Sequence, residues 1–341
     1  MNYKTILVTG GAGYIGSRLV PALLALGHNV RVLDAMFFTN GLKFFSNHPN
    51  LHIVKGDVRD RKLVSSMLTN CDTVIHLAAV ANDPSFDLAP DLGKSINLEC
   101  LPYLMATAKR LGCRRFIYAS SASVYGTCES PLVNEEQRCV PLTDYSKYKF
   151  DGEQILLDLT DPSFETIAVR AATVCGWSPR QRFDLTVNIV TASALLKKEI
   201  SIFGGNQFRP NVHIEDLVRL YSTLTQRDSL GELNGRAINV GNETKSVSEI
   251  AANVKKTIED QFPISVSLKT TSSNDSRSYR LNSDLLRDKL NFYFNYSIEN
   301  AVTDICNKWT DGFFADSPNV LSDVRYNNVI NMKKTINPSL I

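Results

Sequence analysis

Long apolar runs, charge of one sign and paired cysteines are all missing from this 341-residue sequence. No stretch reaches the roughly 20 apolar residues that cross a bilayer as a helix, and Met1-Asn2-Tyr3-Lys4 leads straight into an apolar strand with no secretory-type leader. A cytoplasmic protein with no membrane partner is therefore expected. The 37 basic residues nearly balance the 35 acidic ones, for a net charge of +2, and no basic run is long enough to argue for nucleic acid. Seven cysteines (Cys71, Cys100, Cys113, Cys128, Cys139, Cys175, Cys306) are odd in number and lack Cys-x-x-Cys spacing, so reduced thiols are expected, with neither disulfides nor a metal site. With 43% hydrophobic residues, the chain is long enough to bury a full core and to form two closely associated domains.

What is present begins at Thr9-Gly10-Gly11-Ala12-Gly13-Tyr14-Ile15-Gly16, directly after the apolar run Ile6-Leu7-Val8. A buried strand that turns sharply into a helix can bring its backbone against a pyrophosphate, whose charge the helix's N-terminal amides meet. Gly10, Gly13 and Gly16 stand three apart, with Tyr14 and Ile15 between them at the same turn. A second apolar strand, Val30-Arg31-Val32-Leu33, runs into Asp34, a carboxylate able to accept the hydroxyls of an adenosine ribose and to repel a 2′-phosphate. Ala35, Met36 and Phe37 supply no arginine to offset that repulsion, so NAD is favoured over NADP as the cofactor.

Further strands end at Asp57-Val58, at Ala78-Ala79-Val80 and at Ser120-Ser121. Asp57 is placed to meet the adenine amino group, and the small residues at 78–80 let a cofactor lie against backbone. His76, inside an apolar strand, reads as a core histidine with a hydrogen-bond partner. A helical pattern covers Leu92 to Leu111, and Arg114 to Ala119 is the next strand. This alternation predicts an α/β fold, a doubly wound parallel Rossmann-type sheet, joined by a smaller, interleaved C-terminal α/β substrate domain. The expected division is 1–174 for the dinucleotide, with a return at roughly 208–242, then 175–315 for the substrate, and a polar tail over 316–341.

Tyr145 and Lys149 are four apart, on one face of the helix that Tyr145 opens. A lysine ammonium near a phenol favours the phenolate, as does the positive nicotinamide of NAD, and a tyrosine so tuned can act as base toward a sugar hydroxyl.

With these residues in view, the chain resembles the extended short-chain dehydrogenase/reductase family, in particular its nucleotide-sugar epimerases and reductases, from residue 5 to about 300. The resemblance implies a catalytic set of Ser121, Tyr145 and Lys149, a ribose acid at Asp34, an adenine acid at Asp57 and a structural asparagine beside the cofactor at Asn97. It also implies substrate contacts at Arg209 and Arg277, with Asn188 on the diphosphate and Ser121, Ser123 and Thr173 around the sugar. Arg180 and Arg182 are balanced between surface residues and site residues. Sugar 4,6-dehydratases of the family carry an Asp-Glu pair where this chain has Ala122 and Ser123. Decarboxylating relatives place a glutamate at the Ser123 position, and 3,5-epimerising ones a cysteine. What remains is chemistry at one carbinol.

The expectation is an NAD-dependent nucleotide-sugar epimerase acting through a 4-keto intermediate, in deoxysugar, heptose or surface-polysaccharide biosynthesis. A 4-keto reductase with net redox is the alternative, and a non-catalytic NAD-binding regulator a more distant one. Thr173 stands where galactose epimerases have a pocket asparagine, which argues against plain galactose/glucose interconversion. The two helices over 94–111 and 145–159 carry apolar surface that, by the same resemblance, pairs two copies into a homodimer.

Overall fold

The computed structural model describes residues 4–126, 132–272 and 278–335. Seven strands, β1 (Thr5–Thr9), β2 (Asn29–Asp34), β3 (Leu51–Lys55), β4 (Thr73–His76), β5 (Arg115–Ser121), β6 (Glu165–Ala171) and β7 (Arg236–Val240), form one sheet. Their order is β7-β6-β5-β4-β1-β2-β3 and every pairing is parallel. The order reverses at β1, so the connections leaving β1 and β4 go to opposite sides and open a crevice at the strands' carboxyl ends.

Alternation along the strands explains the two-sided core. Ile6 and Val8 face an apolar layer shared with Leu19, Val20 and Leu23 of α1 (Gly16–Ala25), whereas Leu7 faces the opposite layer. That second layer holds Val64 and Leu68 of α2 (Arg61–Leu68) and, further on, Leu104, Met105 and Ala108. A sheet covered on both faces needs apolar residues at both parities, which is why its strands read as unbroken apolar runs.

The helix expected over Leu92–Leu111 is divided. After the short α3 (Asp83–Phe86) come α4 (Pro90–Lys94), a π-turn over Ser95–Glu99, and α5 (Leu101–Arg110). Pro102 has no N–H to continue the ladder, and a π-turn just upstream accommodates that loss. α6 (Asp144–Leu157) starts one residue before Tyr145, because Thr143 caps it: the Thr143 hydroxyl accepts from Ser146 N at 3.2 Å and Ser146 Oγ accepts from Thr143 N at 3.0 Å.

Beyond β6 the chain builds smaller layers. Thr173–Cys175 pairs in parallel with Phe208–His213, which pairs antiparallel with Glu243–Ser246, and Glu199–Phe203 pairs in parallel with Ser267–Thr271. Helices α7 (Thr186–Lys197), α8 (Ile214–Gln226), α9 (Val247–Gln261), α10 (Asp284–Leu290) and α11 (Ile298–Thr310) follow; α7, α9 and α11 pack together around Val190, Ile250, Val254 and Val302. The described part of the tail ends in α12 (Asn328–Thr335), and Val320, Tyr326 and Met332 are buried. Its polar composition hid widely spaced apolar anchors.

No helix among the described residues is long and apolar enough to cross a membrane. The six described cysteines are unbridged, and no His/Cys/Asp/Glu group among the described residues could hold a metal.

Candidate functional site

A cavity of about 500 Å³ opens at the carboxyl ends of β1, β2, β4 and β5. Two glycines show why its floor is backbone. Gly10 has φ +70°, and a side chain there would stand 2.6 Å from Ala78 N; a Cβ at Gly16 would stand 2.4 Å from Gly11 O. Neither position accepts another residue without moving the turn. Gly13, Tyr14 and Ile15 also line the cavity, and the Tyr14 hydroxyl donates to Gly176 O at 2.7 Å.

Asp34 is fixed at the end of β2 by its neighbours: Oδ2 accepts from Ala12 N at 2.9 Å and Oδ1 from Met36 N at 2.8 Å. Burial pushes its carboxyl up, and these two bonds and the charge of Arg180 work against that. Local sequence supplies no cation here, yet the fold brings Arg180 close, so the electrostatics of Asp34 include a residue 146 positions away. Asp57 and Val58 line the same wall. Asp57 holds Arg59, with Nη2 to Oδ2 at 2.6 Å; burial raises its pKa, but the Arg59 bonds prevail and leave it below the usual carboxylate range.

Ala78, Ala79 and Val80 form the opposite wall. Asn97, in the π-turn, keeps that wall in place without lining the cavity itself: its amide donates to Val80 O at 2.9 Å and accepts from Val80 N at 2.8 Å. His76 is a core residue, its Nδ1 2.8 Å from Thr9 Oγ1, and burial pushes it down to about 3.

Ser121, Tyr145 and Lys149 line this same cavity, as do Ser123, Thr173 and Arg209. Burial pushes the Tyr145 phenol up to about 12, and Asp83 adds to the rise; Arg182 and a hydrogen bond with Ser121 oppose it. The cation acting on Tyr145 in this structure is thus Arg182. Lys149 donates instead to Ala119 O at 2.7 Å, and its ammonium lies 5.0 Å from the Tyr118 ring centre. Burial brings Lys149 down to about 8, with Glu153 partly opposing. The phenolate expected from the sequence is therefore not favoured by the protein's own groups, because burial outweighs the nearby charges.

Arg180 and Arg182 are not surface residues. Arg182 is buried in a bidentate pair with Asp184 (3.0 and 2.8 Å), and Asp184 also accepts from Asn82 at 2.7 Å. Asn188 does not line the cavity. Its amide accepts from Gly176 N and donates to the Tyr14 hydroxyl and Arg182 O, each at 3.0 Å, so it ties the glycine turn to the loop carrying Arg182. Arg277 lies outside the described residues.

Sequence reasoning missed the support behind Lys149. Glu153, fully buried, accepts from Arg170 Nη2 at 2.7 Å and from the Ser120 hydroxyl, and Arg170 Nη1 donates to the Tyr125 hydroxyl at 2.9 Å. The one available signal was Glu153 standing four residues after Lys149, on the same helix face. Also missed were Asn328 and Met332, which line the cavity from the far end of the chain.

Sheet order, the glycine turn and the carboxylate at the end of β2 define an α/β protein of the dinucleotide-crevice class. The model of the NAD dependent epimerase/dehydratase family matches residues 6–241, and the chain belongs to that family. Among similar proteins, an uncharacterized protein, y4nG, of Sinorhizobium fredii is 33% identical over 63% of this chain and 51% of its own length. UDP-glucuronic acid decarboxylase 4 of Arabidopsis thaliana is 30% identical over 76% of this chain and 58% of its own. The chain thus spans only a little over half of either relative. Among solved structures, MoeE5 in complex with UDP-glucuronic acid and NAD is 25% identical, with a TM-score of 0.75 over 88% of this chain and 97% of that one.

Proposed function

We propose that this chain is an NAD-dependent nucleotide-sugar epimerase that works through a 4-keto intermediate. The observation that carries this reading is one cavity shared by a buried tyrosine hydroxyl bonded to Ser121, a ribose acid and a glycine turn. In this reading residues 1–174 and 208–242 hold the cofactor, and 175–315 hold the sugar nucleotide. NAD, when bound, supplies a hydride acceptor that returns the hydride in the second half of the cycle.

The chain's own groups manage the proton. The Tyr145 oxygen removes the C4 hydroxyl proton while Ser121 donates a hydrogen bond to the same sugar oxygen. Burial has raised the phenol, so it ionises only when positive charge gathers beside it. Arg182 contributes some of that charge, and the bound cofactor, with Lys149 turned from Ala119 O toward the ribose, contributes the rest. After the keto sugar turns its other face to the hydride donor, Tyr145 returns the proton to the C4 oxygen. Ser123 offers the sugar an additional donor, since its hydroxyl has no partner among the described residues. Arg209, which lines the cavity, and Arg277 are assigned to the nucleotide diphosphate, within deoxysugar, heptose or surface-polysaccharide biosynthesis. A cytoplasmic homodimer joined through α5 and α6 completes the reading. Tyr103, Tyr148 and Ile155, half-buried on those helices, would lie at its seam, and sedimentation giving only monomer at micromolar concentration would remove it.

The test is a panel of UDP-, dTDP-, GDP- and CDP-sugars, with products resolved by NMR and NADH followed by absorbance. An epimer formed without accumulating NADH supports the proposal. The second reading, net 4-keto reduction, is favoured by one observation: Arg180 lies close enough to Asp34 to lower its pKa and so to temper its repulsion of a 2′-phosphate. Stoichiometric NADPH consumption on a keto sugar would establish it instead.

A further inference from the structure

The C-terminal residues fold back onto the dinucleotide crevice. They are first anchored beyond α11, where Phe183 packs against Phe314 (ring centres 5.2 Å apart) and Tyr326 (5.9 Å), and Phe183 N donates to Tyr326 O at 2.7 Å. From that anchor α12 crosses to the other wall. It packs on α3, and Met332, 2% exposed, enters the apolar cluster that holds Phe86 and receives Phe38. Its first residue, Asn328, is buried and accepts from Arg180 Nη2 at 2.5 Å. Phe38 follows β2 and α3 follows β4, and these two strands flank β1. The helix thus contacts α3 on one side and Arg180 on the other, and Asn328 and Met332 share one cavity with Gly13 and Asp34.

Arg180 is a second, independent observation. Its guanidinium is 2% exposed and sits 4.4 Å above the Phe38 ring, yet it has no carboxylate within ion-pair distance among the described residues, and its Nε has no hydrogen-bond partner. Burial, reinforced by Arg182, pushes it down to about 9. A buried cation one bond short on a cavity wall is completed by an anion in that cavity. The Asn328 amide, acting from the far end of the chain, sets which way the guanidinium fork points.

We propose that residues 319–335 form a clasp that retains the dinucleotide, with α12 bridging the two walls, Asn328 orienting Arg180 and Met332 closing the apolar side. The inference rests on the NAD-dependent reading above and deepens it. A cofactor held through successive turnovers is regenerated in place, as an epimerase requires, whereas net reduction exchanges it every cycle. The segment lies beyond the family-matched residues 6–241.

The experiment uses the full-length protein loaded with NADH, its fluorescence decay followed after excess NAD is added. Wild type is compared with Asn328→Ala and with Asn328→Ala/Met332→Asp, each shown by circular dichroism and thermal melting to be folded. Release is expected to quicken at least several-fold in the single variant and more in the double. Hydrogen exchange supplies a readout that needs no variant, since NAD should slow exchange over 328–335 in the wild type. Unchanged release from folded variants, or no NAD-dependent protection of α12, would overturn the clasp while leaving the NAD-dependent reading intact. Tighter binding after the substitutions would overturn it too, marking α12 as a competitor for the crevice. A wild type that binds neither NAD nor NADH would remove the functional reading itself, and the clasp with it.

Discussion

On the β1–β2 side of the cavity, the walls come from two short stretches, residues 10–16 and 34–38, positioned largely by backbone: glycine contacts of closest approach and amides donating to Asp34. On the β5–β6 side they come from Ser121, Tyr145, Thr173, Arg182 and Arg209, separated in sequence and held by buried charged pairs, Arg170 with Glu153 and Arg182 with Asp184. The first construction needs little from side chains and stays the same whatever the ligand. The second depends on side-chain networks whose members are buried and mutually dependent, so it sets the chemistry and is the more fragile of the two.

The largest effect should come from the fragile side. Tyr145→Phe keeps the ring and the packing but removes the proton carrier, so turnover should fall roughly 10²- to 10⁴-fold with NAD affinity nearly intact. Ser121→Ala should be milder, since the base remains. Steady-state rates and NAD titrations on the same preparations separate the two effects, and near-normal turnover in Tyr145→Phe would remove Tyr145 as the proton carrier.

Next comes the network behind Lys149. Arg170→Met leaves the fully buried Glu153 without its cation and should destabilise the fold by about 3–5 kcal/mol, read from urea unfolding. A loss below 1 kcal/mol would mean that the Ser120 hydroxyl suffices.

On the backbone-built side, Asp34→Ala removes acceptors for the ribose but leaves the glycine turn alone. NAD affinity should drop about ten- to a hundred-fold, since hydrogen bonds to a charged group contribute roughly 1.5–3 kcal/mol, and the gap to NADP should narrow. Equal NAD and NADP affinities in the wild type would show that Arg180 cancels the Asp34 charge.

The smallest effect is a pH slope. Lys149 has a pKa of about 8 in the folded chain, below its ordinary 10.5, so the folded state releases this proton first. Stability of the cofactor-free protein should therefore rise as pH climbs from about 8 toward 10.5, and Lys149→Met should abolish that part of the slope. A slope that survives the substitution would assign the titration elsewhere.

This contrast also explains what could be read from the sequence. The parallel sheet, the turn at Gly10–Gly16 and the acid at Asp34 follow from short-range patterns, because strand burial and the strand-to-helix turn are local. The contacts of Asn188, Arg180 and α12 were not legible, since they come from partners more than 140 positions away: Tyr14 for Asn188 and Asn328 for Arg180. The break at Ser95–Glu99 was missed because Pro102 is compatible with the first turn of a helix as well as with a π-turn upstream. The rise in the Tyr145 pKa was missed for another reason: sequence shows the charges near a phenol but not how deeply it is buried.

The most direct test of the central claim follows one nucleotide sugar from the panel through many turnovers, measuring epimer, NADH and the fraction of cofactor still bound. The account predicts epimer far in excess of enzyme, no accumulated NADH, and the same molecules of NAD retained throughout. NADH rising in proportion to product, or epimer formed equally fast by Tyr145→Phe, would contradict it.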